Sequence, residues 1–401
     1  MENIQNLIRE EKRRQEKTLC MIPSENHPDV TVRSAVGSIL TTKYAEGYPG
    51  KRYYEGNAVV DKVEREAKEA AEELFGADHA NVQPYSGSVA NFALYLGFLE
   101  PGDTVLGFDL NSGGHLTHGS PVNFSGKLYN VETYGLNDSN RLDPSLIRKK
   151  AEEVEPNLII SGTTSYPRKI PFEEIGKIAE DVGAYHVADI SHISGLVVAG
   201  LHEDPVPHSD AVMTTTHKIL RGPRGAIILC KDQHKGRVDK AVFPGVQGGP
   251  HMNSIAGKAI ALQNCTTDEF KQYANRVKKN AKALEKTLLN RGVNLVSGGT
   301  ETHMVLVDLS SRGVGSGKAV AEELHDRNIV CNANTIPNEQ SSPRNPSGIR
   351  LGTPAITTRG LREGDMPMVG NIIADVILGE GEKDEHLATV KRITKTYSLP
   401  R

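Results

Sequence analysis

Five short apolar runs do most to limit what this chain can fold into: "TVLGF" (104–108), "LIIS" (158–161), "YHVAD" (185–189), "AVMTT" (211–215) and "AIILC" (226–230). Each has the length of a strand and is too short for a helix. Segments with helical spacing of apolar residues lie near 88–99, 143–154 and 172–182. Strands alternating with helices give an α/β fold around a largely parallel sheet. In such sheets ligands bind beyond the carboxyl ends of the strands, and Asp189 and Lys218 both follow predicted strand ends.

The rest of the chain fills out a two-part plan. Residues 3–17 carry Ile4, Leu7 and Ile8 at helical spacing, a short arm expected to dock its apolar edge. The helix predicted over 59–75 is expected to bury Val59, Val63, Ala67, Ala70, Ala71 and Leu74, with Gly76 ending it. A helical segment over 266–292 leads into a smaller domain. Strands "HMVLVDL" and "GIRLG" and helices near 317–326 and 366–378 complete that domain. The expected divisions are an arm over 1–40, a large domain over 41–270 and a small C-terminal domain over 271–401.

A formal net charge of −3 argues against nucleic acid as a partner. No apolar run reaches the roughly 18 residues of a membrane span, and the polar N-terminus "MENIQNLIREEKRRQ" does not read as a secretory signal. Cys20, Cys230, Cys265 and Cys331 show neither CxxC nor metal-site spacing. A cytoplasmic enzyme without a bound metal is the expectation.

The chemistry gathers in "TTTHKILRGPRG" (214–225), between two apolar strands. A lone loop lysine usually lies at the surface. Lys218, held near low-dielectric surroundings and other cations, would have a depressed pKa and could attack a carbonyl. Asp189 alone reads as a cap or turn residue. Paired with Lys218 it matches pyridoxal phosphate, which needs a lysine for its aldehyde and an acid for its ring nitrogen. "QPYSGS" places Ser86, Gly87 and Ser88 before a helix, where free N–H groups favour a phosphate, although many such triplets only start helices. "QGGP" (247–250) is a second glycine turn able to approach one.

From about residue 20 to 360 the chain resembles the serine hydroxymethyltransferases, pyridoxal-phosphate enzymes of fold type I. The resemblance rests on "SENH", "KYAEGYPGKRYY", "FGADHANVQPYSGSVAN", "GGHLTHGSPVNFSGKLYN", "ADISHISGLVVAG", "TTTHKILRGPRG", "FPGVQGGP" and "SGIRLGTPAIT". It implies a mostly parallel seven-stranded sheet sandwiched by helices, with a smaller C-terminal α+β domain. It further implies that Lys218 holds the cofactor, Asp189 pairs with its ring nitrogen and His115 stacks on the ring. His192 and Thr164 would lie beside the cofactor, and Ser86, Gly87, Ser88 and His217 would hold the phosphate. Thr215 joins the catalytic set. Gly249, Tyr44 and Tyr54 would reach the site from a second copy in a homodimer. Arg350 would grip the substrate carboxylate, helped by Ser24 and Tyr54. Glu46 would be the acid–base carboxylate. Tyr53, Leu110, Gly114, Leu116, Asn334, Ser342 and Arg344 would face tetrahydrofolate or a related pterin, with serine and glycine as the other substrates.

Four stretches depart from the family pattern: Thr164 with Ser165, Arg344, Pro23, and "YYEGN". Arg344 replaces an apolar contact with a cation and bears on the one-carbon acceptor. The alternative reading is therefore a folate-independent aldolase or transaldolase on threonine-type substrates. A chain that only binds a partner or RNA is disfavoured by the complete catalytic set.

Overall fold

A computed structural model describes residues 3–310, 316–342 and 344–400. The chain divides into two compact units, 28–274 and the combination of 1–27 with 275–401. The second division falls inside the helix Asp268–Asn290.

The larger unit is built on a seven-stranded sheet. In spatial order its strands are His79–Asn81, Ala226–Cys230, Ala211–Thr215, Tyr185–Asp189, Leu158–Gly162, Thr104–Phe108 and Asn130–Tyr134. Only Ala226–Cys230 opposes the others, pairing antiparallel with both of its neighbours. The four expected strands at 104, 185, 211 and 226 have the predicted bounds, and the run at 158 extends one residue further to Gly162. All residues of Leu158–Gly162, Ala211–Thr215 and Ala226–Cys230 are buried, as expected for central strands covered on both faces. The carboxyl ends of the parallel strands lie along one edge, so the segments that follow Asn81, Phe108, Gly162, Asp189 and Thr215 start from a common side.

Two expectations about helices are corrected. Val59 is exposed on the helix Ala58–Phe75, and the buried face carries Val60, Asp61, Glu64, Ala67, Ala70, Ala71 and Phe75. Two acids can turn inward because Arg52 pairs with both, at 2.9 Å to Asp61 and 2.6 Å to Glu64. The segment 266–292 is a helix only from Asp268 to Asn290. Thr266 caps the preceding helix Met252–Cys265, and Thr267 Oγ1 accepts from the Phe270 N–H at 3.2 Å to start the next.

In the smaller unit, Met304–Asp308, Gly348–Gly352 and Asn332–Asn334 form an antiparallel sheet. Leu19–Cys20 pairs in parallel with Ile329–Val330. Leu19, Met21, Leu284, Val305, Ile349 and Ile373 belong to its apolar core. The helix Ile4–Lys17 has no buried residue, and Ile4, Leu7 and Ile8 are exposed, so its apolar edge is not buried by the described residues. That helix is held at its C-terminal end instead. The buried guanidinium of Arg359 donates to the carbonyls of Gln15, Glu16, Thr18, Thr394 and Tyr397, using all five of its N–H groups. Among the described residues no helix is long and apolar enough to cross a membrane.

Arg359→Met should leave these buried carbonyls without donors and lower the stability of the chain by about 2–4 kcal/mol. Urea unfolding followed by circular dichroism measures the loss, and an unchanged midpoint would show that water replaces the guanidinium.

Candidate active site

The turn after Ala211–Thr215 is drawn tight by its own backbone. The Thr216 N–H donates to the Gly225 carbonyl at 3.0 Å, the Gly222 N–H to the Thr216 carbonyl at 2.7 Å, and Thr216 Oγ1 to the Pro223 carbonyl at 2.7 Å. Lys218 sits in this turn with only 8% of its surface exposed. A buried lysine at the end of a parallel strand is the arrangement the sequence suggested. Thr215 is buried beside it, its N–H bonded to Ser191 Oγ at 3.1 Å.

Asp189 ends the neighbouring strand and is also buried. Its Oδ2 accepts from Asn91 Nδ2 at 3.0 Å and from His118 Nε2 at 3.3 Å, and its Oδ1 from the Ser191 N–H at 3.0 Å. Burial alone would push this carboxyl up. The His118 hydrogen bond and the charges of His118 and Lys218 outweigh burial and hold it well below the usual carboxylate range. Asp189 is therefore an anion able to face a protonated ring nitrogen.

His115 precedes the short turn Leu116–His118, with Nδ1 2.7 Å from Thr117 Oγ1. Burial, with His118 and Lys218 nearby, pushes its imidazole down to about 4, which leaves a neutral flat ring. Burial, with Lys218 and Arg224 adjacent, pushes His217 down to about 3. Arg224 Nη1 donates to His217 Nε2 at 3.2 Å, so the ring proton resides on Nδ1. The Gly225 backbone acts to raise the imidazole, but among the described residues buried Nδ1 has no hydrogen bond of good geometry. A donor so placed suits a phosphate oxygen.

Ser86 caps the helix Gly87–Phe98, its Oγ accepting from the Val89 N–H at 3.4 Å. The amides of Gly87 and Ser88 lie in the first turn, where no intrahelical acceptor exists. A Cβ on Gly87 would fall 2.8 Å from Thr215 Cγ2, so only glycine lets this helix start come so near the strand end. Thr164 follows Gly162 and donates its N–H to the Gly113 carbonyl at 2.7 Å. Gly114 bonds back to the Asp109 carbonyl at 2.9 Å, while Leu110 and Leu116 are exposed on the same loop. His192 is buried just past Asp189.

A second group gathers on residues 44–54. Tyr44 donates to Glu46 Oε1 at 3.2 Å and meets Tyr54 edge-on at 5.0 Å. A Cβ on Gly249 would touch the Tyr44 ring at 3.4 Å, and Glu46, Tyr53 and Gly248 line one open hollow with Phe243. Glu46 is half-buried, whereas Tyr44, Tyr53 and Tyr54 are exposed. Buried Arg52 fixes this loop, donating to the Ala45 carbonyl at 2.8 Å and the Gly47 carbonyl at 2.7 Å.

The remaining predicted residues belong to the other unit. Arg350 is buried on Gly348–Gly352, its Nε bonded to Asn332 Oδ1 at 3.1 Å, and burial pushes its guanidinium down to about 10. Asn334 pairs with Gly348, and its Nδ2 donates to the Thr335 carbonyl at 2.6 Å. Ser24 is half-buried next to Pro23, which packs against Gly352 so closely that a Cβ there would meet Pro23 Cα at 2.4 Å. Ser342 and Arg344 are exposed on a loop whose base is closed by Glu339, bonded to Ser341 and Ser347.

Three residues that shape the site were not read from the sequence: Asn91, His118 and Arg52. His118 could have been suspected, since it lies in the "GGHLTHG" that supplied His115. Asn91 and Arg52 offered only a polar residue in a helix and a basic residue in a loop.

The family model for serine hydroxymethyltransferase matches residues 1–373. The "Serine hydroxymethyltransferase" of Desulfotalea psychrophila is 50% identical over 372 residues, which are 93% of this chain and 87% of that protein.

His115, His186 and His217 are held down to about 4, about 4 and about 3. Between those values and about 6.5 the unfolded chain binds protons that the folded chain does not. The stability of the ligand-free chain should thus be full above pH 6.5 and fall as the pH is lowered towards 4. The contribution of Asp189 is lost only at lower pH, below its ordinary carboxylate range. Urea midpoints at pH 7.5 and pH 5 test this, and equal midpoints would mean that the three imidazoles charge freely in the fold.

Proposed function

The chain belongs to the serine hydroxymethyltransferase family, and from that membership we infer that it transfers the hydroxymethyl group of serine reversibly to tetrahydrofolate, leaving glycine. The observation that carries the cofactor reading is the pairing of buried, anionic Asp189 with buried Lys218 at adjacent strand ends. Pyridoxal phosphate fits this set, with the buried His217 Nδ1 and the Ser86–Ser88 helix start available for its phosphate. When bound, it supplies an electron-withdrawing ring that weakens the bonds at the amino-acid Cα.

The side chains divide the remaining work. Lys218 provides the amine that holds the aldehyde. Asp189 keeps the ring nitrogen protonated, because an anion fixed by three donors cannot easily take that proton away. Neutral His115 offers a ring face without adding a charge. Thr164, His192 and Thr215 enclose the cofactor and exclude water. Arg350 receives the substrate carboxylate with its planar fork, with Ser24 beside Pro23 as a further donor. Glu46, bonded to Tyr44, moves a proton at the hydroxymethyl oxygen. Tyr53, Leu110, Gly114, Leu116, Asn334, Ser342 and Arg344 are assigned to the pterin and its tail.

A homodimer with shared sites completes the reading. Support comes from Tyr44, Tyr53 and Tyr54, which are exposed on a loop held rigid by Arg52. Tyr44, Tyr54 and Gly249 would then serve the partner's Lys218. The four cysteines are free thiols, which supports a reducing compartment such as the cytoplasm.

Two experiments test this. Glu46→Gln should lower folate-dependent serine turnover by about 100- to 10,000-fold while folate-free cleavage of threonine falls much less. Parallel losses would place Glu46 in a shared step, and wild-type turnover of serine that ignores the pterin would favour the aldolase. Mixing inactive Tyr54→Phe and Lys218→Ala chains should restore activity, because a hybrid of two chains carries one intact site. Mixtures no more active than their parents would show that each chain completes its own site.

A further inference from the structure

Lys258 lies on the helix Met252–Cys265 and is 1% exposed. Its ammonium donates to three backbone carbonyls, Val82 at 2.7 Å, Pro84 at 3.0 Å and Ala226 at 2.9 Å, which exhausts its three N–H groups. Glu64, the acid that acts on it through space, is itself bonded by Arg52 and Gln83. Burial pushes the ammonium down to about 7. A methionine would fill much the same volume without burying a charge, so packing alone gives no reason for a lysine.

The carbonyls it gathers belong to two different segments. Val82 and Pro84 lead into Ser86, Gly87 and Ser88. Ala226 follows directly on the turn that carries His217 and Lys218, and its own N–H donates to the Pro84 carbonyl at 3.2 Å. Gly225 makes room for the lysine, since a Cβ there would fall 2.5 Å from Lys258 Cε.

We propose that Lys258 is a positioning residue that fixes the span between the turn receiving the cofactor's phosphate and the turn presenting Lys218 to its aldehyde. The inference rests on the cofactor reading above. In pyridoxal phosphate the ring and a short phosphomethyl arm limit how far apart these two ends can be, so both are engaged together only when the turns stand within a narrow range of separations. With the clamp gone, each turn keeps its own groups, but the advantage of holding both ends at once is reduced.

The measurement is the ratio of two dissociation constants, pyridoxal over pyridoxal phosphate, taken from the absorbance of the bound ligand. Wild type should favour the phosphate form strongly. In Lys258→Met, and in Gly225→Ala, which crowds Lys258 without removing it, this ratio should fall about tenfold or more. A residue that only supports the fold would weaken both ligands alike, and an unchanged ratio overturns the proposal. If Lys258→Met does not fold, the ratio in Gly225→Ala decides. Wild type that binds no pyridoxal phosphate would instead overturn the cofactor reading and this inference with it.

Discussion

Asp189 carries a negative charge at the end of a buried strand, and much of the larger unit is arranged so that it can. Its three donors come from different places: Asn91 from the helix Gly87–Phe98, His118 from the turn Leu116–His118, and the backbone of Ser191 just beyond the strand. Each donor ties a separate segment to one carboxylate. Burial drives Asp189 and His115 alike towards their neutral forms, yet only His115 becomes neutral. The surrounding cations decide the difference, because they favour a carboxylate and oppose a further positive charge on an imidazole. One neutral ring and one anion in the same small volume is the pattern expected where environment sets protonation states for chemistry.

Central strands were legible because burial on both faces leaves uninterrupted apolar runs, as in "AVMTT" and "AIILC". Asn130–Tyr134 escaped notice because it is a mostly exposed edge strand, and His79–Asn81 because it is three residues long. The helix Met252–Cys265 lacks a strong polar face, so periodicity could not reveal it. The buried face of Ala58–Phe75 was misjudged because the cation that neutralises Asp61 and Glu64 lies outside the helix, on the short strand Lys51–Arg52 just before it, where helical periodicity does not look. Lys218 and Asp189 were legible from their places at strand ends, and motif resemblance supplied most of the rest of the candidate site, including Glu46. It could not supply Asn91 or Lys258, whose roles depend on what the fold brings to them.

Of the cations withdrawn from water among the described residues, Arg52, Lys258 and Arg359 are each satisfied differently. Arg52 joins two carboxylates to two loop carbonyls. Lys258 takes only carbonyls, three of them, as its ammonium allows. Arg359 spreads a planar fork over five. Removing one partner from any of these would cost more than the bond itself, because the group left behind stays out of reach of water. Such residues are expensive to bury and, once buried, hard to replace, and all three hold backbone segments rather than core side chains.

The discontinuity of the smaller unit sets a schedule on the ribosome. Leu19–Cys20 has its strand partner at Ile329–Val330, and the carbonyls of Gln15, Glu16 and Thr18 have theirs at Arg359. Residues 15–21 are therefore made long before the partners that hold them. At roughly 5–20 residues per second, the wait for some 300 further residues lasts on the order of 15 to 60 seconds. During that time the unit 28–274, whose strands are all contiguous in the nascent chain, can close around its own sheet. The apolar side chains Leu19 and Met21 remain without their core partners meanwhile, a stretch of exposed apolar surface that outlasts the folding of the larger unit.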